Sequence, residues 1–276
     1  MIKVNLPKAS STAIIFLLVA GFISAAMIPK LDQPAYAHTF TADESASFLS
    51  VIKILQAESK LVQENFALDP TLAQAHAKAI VNVVNGNHTF GILPDEVSEN
   101  NKRVAADVVK GANALQTAVN SKPPATQADI GTKINYLDGV LQEAITVRVP
   151  KAHVNDFAIN AQVAKNLVNE TLRQYGYAFG MSKGNTALAN SISNFSAFQS
   201  AQALSSQSQS VLNQAKSLIP KNETSAAMLM TTSKVATDIA QLKSGINTKL
   251  PYQRIANLVQ NTIYHDINTA FHLKNK

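Results

Sequence analysis

The groups that could do chemistry in this chain are few: six histidines, eighteen carboxylates and no cysteine. Without thiols there can be no zinc–thiolate site, iron–sulfur cluster, disulfide or thiol nucleophile. The histidines are His38, His76, His88, His153, His265 and His272, and none falls in an HExxH or HxH pattern. His265 and His272 share a helix face, but a seven-residue step separates them by about 10 Å along the axis, too far for one ion. No Glu-x-x-His pair suggests a carboxylate di-iron bundle. A phosphate loop and a Gly-x-Ser-x-Gly elbow are also missing. No nucleophile is grouped with a base, so the expectation is a protein that is not an enzyme.

His38 is the histidine with a special context. Residues 34–40 read PAYAHTF, and Ala35-Tyr36-Ala37 is a small-x-small site. Cleavage after Ala37 would make His38 the first residue. Its α-amino group, with a reference pKa of about 8, and its imidazole could then chelate one copper ion. Such a site needs a second imidazole, and His88, in the Gly86–Pro94 loop, is the candidate. His38 and His88 are therefore the candidate metal ligands. The plainer reading is that Ala-His is only a cleavage context and that no cofactor is held.

The preceding residues fit that context. Lys3 and Lys8 form a basic start, and Thr12–Met27 is an uncharged run of sixteen residues. A membrane span needs about twenty. Residues 1–37 therefore read as a signal peptide, or as a membrane anchor if left uncleaved, and the remainder as exported and extracytoplasmic. The formal charge is +6 with only 15% charged residues, too sparse a basic surface to indicate nucleic-acid binding. Sequons stand at Asn87, Asn169, Asn194 and Asn222.

The elements that would position these groups read as helices throughout. Phe48, Ile52, Leu55, Ser59, Val62 and Phe66 step by four and three along one face. Thr41 or Asp43 can cap that helix. Asp69-Pro70 starts an Ala-rich second helix, and Pro94-Asp95-Glu96 a third that runs to Lys122-Pro123-Pro124. A fourth carries Ile130 to Ile145, and a fifth runs from about Val154 to Phe179, where Gly176, Gly180 and Gly184 mark a fraying end. The Ser- and Gln-rich stretch 195–218 has a thin apolar stripe and reads as the most exposed helix. Stripes from Met228 to Ile246 and from Ile255 to Phe271 complete the set. The fold class is all-α: about eight antiparallel amphipathic helices in one elongated bundle or two four-helix bundles. The division falls at 38–148 and 149–276, with a hinge near 180–194.

The stretch AHTFTADESASFLSVIKILQAESKLVQENF, residues 37–66, resembles exported all-helical proteins of ammonia-oxidising archaea. That resemblance implies a protein partner outside the cytoplasmic membrane, in the manner of a helical accessory subunit of the archaeal ammonia monooxygenase assembly. It supplies no ligand set. The functional expectation is a structural or interaction module, with a small-molecule or copper-binding protein as the alternative.

Overall fold

The computed structural model describes residues 39–86, 93–181, 191–220 and 226–273. The expected leader 1–37, both candidate metal ligands, the sequons at Asn87 and Asn222, and most of the expected 180–194 hinge lie outside these residues. The described part from residue 39 onward belongs to one compact unit. It is all-helical, and none of its helices is long and apolar enough to cross a membrane.

Local chemistry sets the helix starts. Helix α1 (Ala42–Asn65) begins at Thr41, whose hydroxyl accepts from the Glu44 N–H while the Glu44 carboxylate accepts from the Thr41 N–H. This reciprocal cap satisfies two N–H groups that the first turn leaves without intrahelical partners. α2 (Pro70–Val84) is capped by Asp69, as Asp-Pro implies. The expected third helix is two: α3 (Leu93–Ser98) and α4 (Lys102–Val119). Asn101 divides them, because its side chain accepts from the Val104 N–H and starts a new helix. α5 (Gln127–Arg148) carries a second capping box, Thr126 with Asp129. A single turn, α6 (Lys151–Val154), precedes α7 (Phe157–Ala178), which is capped by Asp156. α8 (Phe195–Ser217), α9 (Ala226–Asn247) and a C-terminal run complete the chain. That run is α10 (Tyr252–Leu258), a π turn (Val259–Ile263) and α11 (Tyr264–Ala270).

The π turn explains the C-terminal pattern. Ile255, Val259, Ile263, Ile267 and Phe271 step strictly by four, and all are buried. In a regular α-helix each such step drifts by about 40° around the axis. The wider π turn absorbs much of that drift, which keeps the five side chains on one face.

α7 and α8 share the most extensive helix–helix contact, which corrects the expectation that residues 195–218 form the most exposed helix. Ala201, Leu204, Leu212 and Ala215 are fully buried, and so are Ser205 and Ser208. The two serine hydroxyls donate to the carbonyls of Gln202 and Ser205, each at 2.8 Å. With its polar group satisfied inside its own helix, each serine packs as a small residue and lets the two backbones approach. The end of α7 is closed rather than frayed: the N–H groups of Ser193 and Asn194 donate to the Ala178 carbonyl. α1 packs against α2, α5, α7 and α8. Its start is held by Arg148, whose side chain is 1% exposed. The guanidinium lies 3.9 Å from the Phe40 ring centroid and within 3.4 Å of the Glu96 and Glu99 carboxylates.

Candidate functional site

The site is at the end of the molecule where α1 turns into α2 and where α8 begins. Its centre is a buried ion pair. Glu58 sits on α1 three residues after Leu55 and four before Val62, so it shares their core-facing side. His76 is on the buried face of α2 with Ala73, Ala77 and Ile80. The two helices bring the His76 Nδ1 to 2.7 Å from the Glu58 Oε2. His76 is 1% exposed and Glu58 3%.

The amide groups around the ring fix its protonation. The Leu61 carbonyl can only accept, so the Asn65 group facing it at 2.8 Å is Nδ2. The other hydrogen of that amide points to Gln199 Oε1 at 3.1 Å, and Gln199 Nε2 returns a bond to Asn65 Oδ1. Gln199 Oε1 therefore also faces His76 Nε2, at 2.9 Å. Both ring nitrogens meet oxygen acceptors, which favours the doubly protonated imidazolium. Burial alone would lower the His76 pKa. The hydrogen bond and charge of Glu58, followed by Gln199 and the nearby Glu64, outweigh it and raise the pKa above the ordinary histidine value. The network thereby ties α1, α2 and α8 together through four side chains.

A cavity of about 340 Å³ opens beside this pair, between α2, the end of α7 and the start of α8. Glu58 and His76 form part of its wall, with Gln174, Tyr177, Met181 and Ser200 around them. Outside the cavity the same end carries two large exposed apolar side chains. Leu68, in the turn after α1, is 86% exposed, and Phe195, the first residue of α8, is 58% exposed. The Asn65–Gln199 amide pair holds their backbones at a common end: Leu68 follows Asn65 by three residues, and Phe195 precedes Gln199 by one helical turn.

His38 and His88 lie outside the described residues, so no geometry attaches to the copper reading. His265 and His272 are exposed, and His153 Nδ1 lies 2.8 Å from the Ser45 hydroxyl. Among the described residues no group of three or more His, Asp or Glu side chains is placed to hold a metal ion. The Glu58–His76 pair has no sequence motif, because its members come from two helices. Its signal in the sequence is a carboxylate and an imidazole, each in register with an apolar stripe. No protein-family model, curated protein or solved structure matches the chain.

Proposed function

We propose that this chain is an extracytoplasmic helical interaction module that docks on another protein through the α1–α2/α8 end, as an accessory subunit docks on a membrane complex. The observation that carries this reading is the exposed pair Leu68 and Phe195, held at one end by the Asn65–Gln199 amide bonds. Large apolar side chains left exposed at one end of a fold offer a surface that a protein partner can cover. The signal-like residues 1–37 and the resemblance of residues 37–66 to exported proteins of ammonia-oxidising archaea support the setting outside the cytoplasmic membrane. The helices 38–148 and 149–276 act together as one continuous bundle in this reading, since α1 packs against members of both sets.

Photo-crosslinking in the native cells tests it. Benzoylphenylalanine in place of Leu68 or of Phe195 is expected to give the same discrete heterologous adduct from both positions. The same probe at Lys60, an exposed polar position on α1, is expected to give none. Equal labelling from all three positions, or no adduct from the first two, would contradict the proposal.

A further inference from the structure

The cavity beside Glu58 and His76 is distinct from the exposed Leu68/Phe195 pair, and its wall is chemically specific. We infer that it binds a small neutral polyhydroxylated molecule of about monosaccharide size. The volume of about 340 Å³ is at the lower end of ligand pockets, which run from about 300 Å³ upward.

Two polar oxygens of the wall are unused by the described residues. Glu58 gives Oε2 to His76, while Oε1 has no hydrogen-bond partner among the described residues. The Ser200 hydroxyl has none either, although Ser200 is only 4% exposed. Glu58 and Ser200 both line the cavity, and neither oxygen belongs to the fully enclosed, unpaired atoms among the described residues. A carboxylate oxygen only accepts, so it calls for an O–H or N–H donor on the ligand. A serine hydroxyl both donates and accepts, which suits a ligand hydroxyl.

Charge narrows the class further. Among the described residues Glu58 and His76 are the charged side chains in the lining, and they neutralise each other at 2.7 Å. A cationic ligand would meet the imidazolium beside the carboxylate it sought. An anionic ligand would find both imidazole N–H groups already committed to Glu58 and Gln199. A neutral donor-rich molecule meets neither penalty. The remaining wall matches it: Gln174 supplies an amide, one N–H of which is already given to Glu170 at 2.7 Å, and the Tyr177 ring, Met181 and Ala79 supply apolar surface for C–H faces.

Saturation-transfer-difference NMR on the full chain tests this, with D-glucose and myo-inositol as probes and choline and acetate as the cationic and anionic controls. Saturation of at least one polyol with a millimolar or tighter Kd is expected, and no transfer to the charged controls. Ala79→Leu, which fills the cavity, and Ser200→Ala, which removes one hydroxyl, should each weaken binding by about tenfold or more. If Ala79→Leu fails to fold, Ser200→Ala carries the test alone. The inference is overturned if neither polyol binds, if the charged probes bind in their place, or if the folded variants bind as well as the parent. Crosslinking from Leu68 and Phe195 should be unchanged in the variants, which separates this outcome from that of the docking proposal.

Discussion

Replacing His76 with alanine is expected to destabilise the fold by about 3–5 kcal/mol, because it strands a buried carboxylate. Glu58 is 3% exposed and has His76 as its ionic partner. The cost is a large share of the 5–15 kcal/mol that typically separates folded from unfolded chains. A conservative variant and a double variant distinguish a lost ion pair from lost packing. Glu58→Gln removes the charge and leaves a neutral amide to bond a neutral imidazole, so it should cost less than His76→Ala. The double change Glu58→Met with His76→Leu removes both charges for similar volume and should lie close to the parent or above it. Urea unfolding reads all three, and an unchanged m-value would show that the compared states are the same.

The pair also gives a pH dependence of definite sign. The His76 pKa is raised in the folded chain: burial opposes the charge, but Glu58 and the neighbouring acceptors more than offset it. Its contribution is therefore fully present below the ordinary histidine value of 6.5 and declines as pH rises through the higher folded value. Parent and His76→Ala stabilities should converge on the alkaline side. A gap that widened with rising pH would contradict this assignment.

The second large effect is expected at Tyr175. Its side chain is fully buried on α7, with ring centroids 5.1 Å from Phe179 and 6.3 Å from Phe198. Its hydroxyl donates to the Leu250 carbonyl at 2.6 Å, joining α7 to the link between α9 and α10. Tyr175→Ala opens a cavity at this junction and should cost about 3–5 kcal/mol, the range for large aromatic truncations. Tyr175→Phe keeps the ring and leaves the Leu250 carbonyl without this donor, for about 1–2 kcal/mol. Burial pushes the phenol of Tyr175 up to about 12, and that of Tyr264 likewise. The stability linked to these neutral phenols is present below about 10, the unfolded value, and is lost as pH rises toward 12. Absorbance at 295 nm should show the two ionising together with alkaline unfolding. If Tyr175 ionises near 10 while the chain stays folded, its burial is wrong.

Much of this fold can be read along the chain, since capping and helical periodicity are local. Thr41 with Glu44, Asp69-Pro70 and the stripe of α1 identify their elements from a few neighbouring residues. The features that escape such reading depend on partners distant in sequence or on small backbone choices. Asn101 interrupts an unbroken apolar stripe because an asparagine cap competes with helix continuation. The buried serines of α8 look solvent-facing by composition, yet intrahelical hydrogen bonds make them packing residues against α7. The π turn has no residue signature beyond the strict four-step repeat it accommodates. At the site, Gln199 lies 123 residues from His76 and 134 from Asn65. Only the folded bundle shows that the three form one network. The histidines made conspicuous by their sequence context, His38 and His88, lie outside the described residues, and His76, which the bundle joins to Glu58, has no such context.

The chemistry of the site depends on His76 being held as an imidazolium between Glu58 and Gln199. Long-range ¹H–¹⁵N correlation spectra of the His76 ring, recorded across a pH series, test it most directly. Nδ1 and Nε2 are both expected to carry protons at neutral pH, with a midpoint above 6.5, the ordinary value. Glu58→Gln should move that midpoint downward. A single neutral tautomer at neutral pH, with a midpoint at or below 6.5, would contradict the charged pair and remove the basis for the neutral-ligand cavity built beside it.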